Sequence, residues 1–293
     1  MNSLLAVGIA SSALIVSGCS NSAAATIHMD RHDDNHSGSG HYRYEQDGDV
    51  SHIGSDMEID GRIGGDLSLI GSDLDVRAEI GGDMSLVGSD IEFDGAVGGE
   101  ANIAGSDVDW TGHSERGIDI AGSDVDWSGS TNGSLSIAGS DISIDGRIDD
   151  SLDIAGSDVS ITADTSIGGD LSIAGSDLEI TGHVAGNADL AGSRIDIGGV
   201  IEGRLLASAY PSGGWSWSSN DRHHSIFVDG EIGMGSAVCA RRVIIGADAA
   251  ISGNLMIFAD EPPTFENRLT AQNVTFEAID ERDCDDLLDN YDN

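Results

Sequence analysis

Apolar and polar residues alternate along most of this chain, and the alternation itself recurs every 17 residues. The triplet Gly-Ser-Asp marks the repeat, starting at Gly54, Gly71, Gly88, Gly105, Gly122, Gly139 and Gly156. It returns at Gly175 after a two-residue insertion near Thr165-Ser166, and at Gly192 with Arg194 replacing the Asp. With that Gly as position 1, positions 4 and 6 are apolar throughout, as in Met57 and Ile59 or Ile195 and Ile197. Positions 14 and 16 repeat the pattern (Leu67 and Leu69, Leu171 and Ile173), and position 10 is apolar in most repeats, such as Ile63, Ile80, Val97, Ile148 and Val184. A period of two carried by β-branched residues predicts strands. Gly at positions 1 and 8, and often at 11 and 12, predicts turns. No 3.6-residue period survives these glycines, so helices are not expected. The fold class that follows is all-β: a single-stranded β-helix, or β-solenoid, of 17-residue coils with three short strands per coil. Strands stacked at about 4.8 Å would make the nine marked coils a rod roughly 43 Å long. A single coil cannot bury its own apolar face, so each depends on its neighbours.

Two coils test the register. Where position 6 is Trp110 or Trp127, position 10 is Ser114 or Thr131 rather than Val or Ile. A large ring on one wall is offset by lost volume on another, as close packing requires. These rings are therefore expected in the core rather than on a ligand platform.

The regularity has edges. Residues 1–18 read as a signal peptide, 19–46 as a flexible tether, 47–258 as the solenoid with a loop insertion at 209–225, and 259–293 as an acidic cap or tail. Leu4 to Val16 is an apolar run too short for a bilayer span but suited to a signal-peptide core. It ends in Val16-Ser17-Gly18-Cys19-Ser20, which resembles the lipobox of bacterial lipoproteins. That resemblance implies cleavage before Cys19 and lipid on its thiol and new amino group, so the membrane is the partner expected there. Ser20 after the cysteine resembles the outer-membrane sorting pattern. The n-region departs from the family in carrying neither Lys nor Arg. In the tether, His28, His32, His36 and His41 sit among Asp30, Asp33 and Asp34. Such a set suits a borderline metal, but a polar segment fixes no geometry and reads as solvated linker. Pro262-Pro263 is expected to end strand pairing.

Segments such as Ile59-Asp-Gly-Arg-Ile63-Gly-Gly-Asp-Leu67 and Ile197-Gly-Gly-Val-Ile201-Glu-Gly-Arg-Leu205 resemble the repeats of bactofilins, the polymer-forming bacterial cytoskeletal proteins. The resemblance covers most of residues 54–258. It implies a right-handed solenoid, self-association end to end and a scaffold role. The export signal, the Gly-Ser-Asp triplet and the acidity depart from that family.

Charge narrows the function further. The formal net charge is −39, and all 13 basic residues are Arg. Direct nucleic-acid binding needs a basic surface and is excluded as an expectation. A high acid content without Lys also fits general adaptation to salty surroundings. Positions 3 and 5 share the outer face of one wall, and their carboxylates should stack. Position 3 contributes Asp56, Asp73, Asp90, Asp107 and Asp124; position 5 contributes Glu58, Asp75, Glu92, Asp109 and Asp126. Such columns repel by roughly 0.9 kcal/mol per pair in bulk water and less in salt. They are candidate divalent-cation ligands, with calcium the candidate ion though no cofactor is required. The position-3 Asp also has a structural role open to it, accepting backbone N–H bonds within its turn. The loop carries Trp215 and Trp217, candidate sugar-stacking rings that equally suit covering a flank of the rod. No single carboxylate pair stands out, and no Ser/His/Asp signature or phosphate loop appears, so an enzyme is not expected. Cys239 and Cys284 are compatible with a bridge in an oxidising compartment, but spacing does not decide it. The function expected is a non-enzymatic, lipid-anchored scaffold of the bacterial cell envelope. The alternative is a calcium-dependent surface adhesin or polysaccharide-binding β-helix.

Overall fold

A computed structural model describes residues 40–209, 224–267, 270–279 and 282–291. The repeat winds into a β-solenoid whose thirteen coils each contribute one strand to a short wall. At about 4.8 Å per coil the rod is roughly 60 Å long. In each regular coil, positions 3–6 form one strand, 9–10 a second and 14–17 a third. In four coils the first two merge into one eight-residue strand: Asp56–Ile63, Asp73–Ile80, Asp124–Thr131 and Asp141–Ile148. Coils pair in parallel and in register, so each side chain lies over its equivalent: Met57 over Leu74, Ile59 over Val76, Ile63 over Ile80.

Inward positions are sealed. Ile59, Ile63, Leu69, Val76, Ile144 and Ile161 have no measurable exposure. The expected Trp coils behave as the volume argument requires. Trp110 and Trp127 are buried, the Phe93 and Trp110 rings stack at 4.3 Å, and Ser114 and Thr131 are buried beside them. Their hydroxyls donate to Gly99 and Arg116 carbonyls, and the Trp110 indole N–H donates to the Gly112 carbonyl at 3.1 Å. At position 8 only a very small residue fits: Gly146 has φ 141° and a Cβ there would lie 2.1 Å from the Gly129 carbonyl oxygen.

Both insertions leave the register intact. The first is taken up at Thr162–Thr165, where buried Thr165 donates to the Ile144 carbonyl at 2.8 Å, and Ile148 still faces Ile167. Across the loop insertion, Ile195 faces Ile226 and Ala209 faces Ala240.

The solenoid is longer than expected at both ends. Gly40–Gln46, assigned above to the tether, is a strand paired with Asp56–Ile63. Its inward positions carry Tyr42 and Tyr44, and His52 fills position 16 of the same coil. Tyr42 stacks on His52 with centroids 4.7 Å apart, and the Tyr44 hydroxyl bonds the His52 Nε2. Three rings with polar atoms thus cover the end of the core among the described residues. At the other end, Pro262-Pro263 does not stop pairing, because Thr264–Phe265 and Val274–Ala278 still pair with Ile244–Ile245 and Leu255–Ala259. The prolines sit in the connection, where no ladder N–H is required. Beyond them lies a helix that the repeat gave no reason to expect, α1 (Cys284–Tyr291). Cys284, Leu287 and Leu288 share one face of it, and they pack on Ala237, Cys239 and Phe258 of the short wall. A Cys239–Cys284 disulfide, with Cα atoms 5.6 Å apart, fixes this contact and settles the question the spacing left open.

Ile144→Asp should cost about 4 kcal/mol or more, because it places a lone charge among sealed coils. Asp145→Asn, one residue away and exposed, should stay within about 0.5 kcal/mol. Chemical denaturation reads both, and equal effects would invalidate the inward–outward assignment. Cys284→Ser opens a loop with a sequence separation of 45 residues. It should weaken the last coils by about 2–4 kcal/mol, seen as faster amide exchange in Ser236–Ala240 and Leu255–Ala259. Unchanged exchange there would mean that packing alone holds α1.

Candidate cation-binding wall

The parallel register places the expected carboxylates in two straight columns on the long wall. At position 3, Asp56, Asp73, Asp90, Asp107, Asp124, Asp141, Asp158 and Asp177 follow one another coil by coil, and Arg194 ends the series. At position 5, Glu58, Asp75, Glu92, Asp109 and Asp126 do the same before Ser143 and Ser160 interrupt them. All ten expected residues therefore share one wall. Cys19, Trp215 and Trp217 lie outside the described residues.

The position-3 side chains do not play the turn-bonding part expected of them. Shared hydrogen bonding with the carboxyls of neighbouring coils raises the pKa of Asp73 (beside Asp56 and Asp90), Asp107 (beside Asp90 and Asp124) and Asp141 (beside Asp124 and Asp158). Two carboxyl groups can share a hydrogen bond only if one holds a proton. For Asp73 and Asp107 that bond is the main cause of a raised pKa; for Asp141 loss of solvation comes first and the bond second.

The turn-bonding role belongs to position 13, which sequence reasoning passed over. Asp49, Asp66 and Asp83 each accept the backbone N–H of the equivalent residue one coil on, at 2.9–3.0 Å. Asp170 and Asn187 continue the ladder at 2.8 and 3.0 Å. Asp or Asn before the apolar position 14 in several coils (Asp49, Asp66, Asp83, Asp170 and Asn187) was the available signal.

Arginines divide the wall electrostatically. Arg77, at position 7, reaches Glu58 at 3.3 Å, Asp75 at 2.6 Å and Glu92 at 3.8 Å, so it compensates the first part of the position-5 column. Arg194 lies 3.6 Å from Asp177 and 3.4 Å from Asp196. All these groups are partly exposed, so each pair contributes only a little. Between the two arginines, Ser143 and Ser160 are too short to fill the wall. A shallow groove of about 530 Å³ results, lined by Asp124, Asp126, Asp141, Asp158, Glu179 and Arg194 among others. Carboxylate oxygens at successive coils suit a hard cation such as Ca²⁺, which takes several oxygen ligands.

The pH response has two opposing parts. The ladder carboxyls hold protons to higher pH in the rod than in the unfolded chain. The rod therefore gains stability as pH falls through their raised values toward the ordinary carboxylate value of 3.8. Burial pushes His52 below its ordinary 6.5, so the first coil loses stability as pH falls through 6.5. Burial also pushes the Tyr44 phenol up to about 12. Asp107→Asn with Asp141→Asn should raise the melting temperature at neutral pH and flatten its dependence between neutral and mildly acidic pH. A lowered melting temperature at neutral pH would show that the column is not under repulsion.

Compared with family models, curated proteins and solved structures, the chain finds no match, so the case for its function rests on its own residues.

Proposed function

We propose that this chain is a non-enzymatic structural rod of the bacterial cell envelope, held to the outer membrane by lipid on Cys19. The observation that carries the reading is the unbroken parallel register from Gly40 to Ala278 through both insertions. A chain that keeps its stacking past every irregularity is suited to span distance. Its carboxylates recur as columns rather than as one distinguished pair, which suits a surface that gathers cations more than a reaction centre. The bactofilin-like repeats and the lipobox-like Val16–Cys19 segment point the same way, toward an anchored, self-associating scaffold. Calcium along positions 3 and 5 would relieve the repulsion between coils and stiffen the rod.

One observation favours a second reading. The groove beside Arg194 offers carboxylates and a cation in one concavity, as a calcium-dependent adhesin for polysaccharide would need.

In cells, a fatty-acid probe should label the wild-type protein and fail on Cys19→Ala, and full labelling of the variant would remove the anchor. Purified protein should form ordered filaments by electron microscopy, more readily with Ca²⁺. Monomeric rods under both conditions, together with glycan-array binding lost in Trp215→Ala/Trp217→Ala, would instead support the adhesin.

A further inference from the structure

We propose that His41, Glu58 and Asp60 form a binding site for one divalent transition-metal ion, of the Zn²⁺ class, at the amino-terminal end of the rod. This site shares Glu58 with the position-5 column but adds an imidazole to it, and it does not depend on the scaffold reading.

The fold, not the linker, positions the histidine. His41 lies on Gly40–Gln46 and faces Glu58 directly across the pairing with Asp56–Ile63. Asp60, two residues on, projects from the same face because strand side chains alternate. One ligand atom from each residue lies within 4.8 Å of the others. Ligand atoms held at about 2.0–2.2 Å around one ion lie roughly 3 to 4.4 Å apart. Small torsional changes on exposed side chains close that difference.

The imidazole itself calls for a cation. Its Nε2 lies 2.8 Å from the Asp60 Oδ2 and its Nδ1 lies 3.3 Å from the Glu58 Oε2. A neutral ring carries one N–H, so one of its nitrogens would meet a carboxylate lone pair against lone pair. Either a second proton or a metal ion at that nitrogen removes the conflict.

A fourth residue steadies the set. Arg77 Nη1 holds the Glu58 Oε1 at 3.3 Å and leaves Oε2 toward His41. Side chains of His41 and Glu58 are 44% and 43% exposed, which leaves room for water to complete the coordination. One imidazole with two carboxylates favours Zn²⁺ over Ca²⁺, which prefers oxygen alone. Because the ligands come from adjacent coils, the ion would clamp the terminal strand, which has only one neighbour, to the rest of the rod.

The test uses the full chain with Zn²⁺ in isothermal titration calorimetry. Other histidines at 28, 32 and 36 are removed by a triple His→Ala background so that they do not contribute. One equivalent of Zn²⁺ should remain in that background, persist in excess Ca²⁺, and slow amide exchange in residues 40–46. His41→Ala and Asp60→Asn, each added to it, should weaken binding at least tenfold. Asp60→Asn keeps the shape of an outward side chain, so it decides the matter even if His41→Ala loosens the first coil. Absence of binding in the background would overturn the proposal. Binding unaffected by Asp60→Asn, or displaced by Ca²⁺, would overturn it as well. None of these outcomes depends on whether the rod forms filaments.

Discussion

Parallel stacking of coils at a fixed spacing is the constraint from which the rest of the molecule follows. Hydrogen bonds between coils require that equivalent backbone atoms meet, so equivalent side chains must meet too. Inside, this is favourable: Ile, Leu and Val columns cover each other, and a coil that could not bury its own apolar face is sealed by two neighbours. Outside, the same rule places Asp on Asp. The geometry that builds the core therefore creates the electrostatic problem on the surface, and neither can change without the other.

The rod answers that problem differently along its length. Near the amino end, Arg77 sits among three carboxylates and His41 between two. Farther along, neighbouring carboxyls raise the proton affinity of Asp107 and Asp141. Then Ser143 and Ser160 take the place of acid at position 5, and Arg194 replaces it at position 3. Counter-charge, shared protons and omission are three physical routes to one end, lowering the repulsion between coils held about 4.8 Å apart.

Much of this was legible in the sequence, for the reason that makes a solenoid simple. A residue's neighbours are itself plus and minus one period, so inward positions such as Ile59 and Ile144, and the Trp110–Ser114 volume exchange, could be read by counting. Counting fails where the period ends. The terminal strand Gly40–Gln46 was missed because Tyr42 and His52 stand at inward positions 6 and 16 in place of Ile, Val or Leu, and Tyr44 stands at position 8 in place of the usual Gly or Ala. The helix α1 was missed because its partner is the outer face of the short wall. Beneath the helix that face carries Leu206, Ala237, Cys239, Met256 and Phe258. The roles of positions 3 and 13 were misread for a subtler reason. Both carry Asp, and only the backbone geometry decides which carboxylate meets an N–H and which meets another carboxylate.

The two ends also show why irregular residues gather there. A coil in the middle of the rod has its polar backbone satisfied on both sides, and its apolar chains covered. At the first coil only one side is satisfied, so its inward residues must tolerate partial hydration. Tyr and His meet that need, since each presents an apolar ring face and a polar atom able to bond water or each other. The same logic applies outside: His41 occupies position 5 in the first described coil, which pairs with Asp56–Ile63. An acidic residue there would extend the repulsive column without being pinned by a further coil. An imidazole ends the column with a group that can carry positive charge, and in doing so it brings nitrogen to a wall otherwise supplied with oxygen. The position that relieves the column is therefore also the one where its ion chemistry changes.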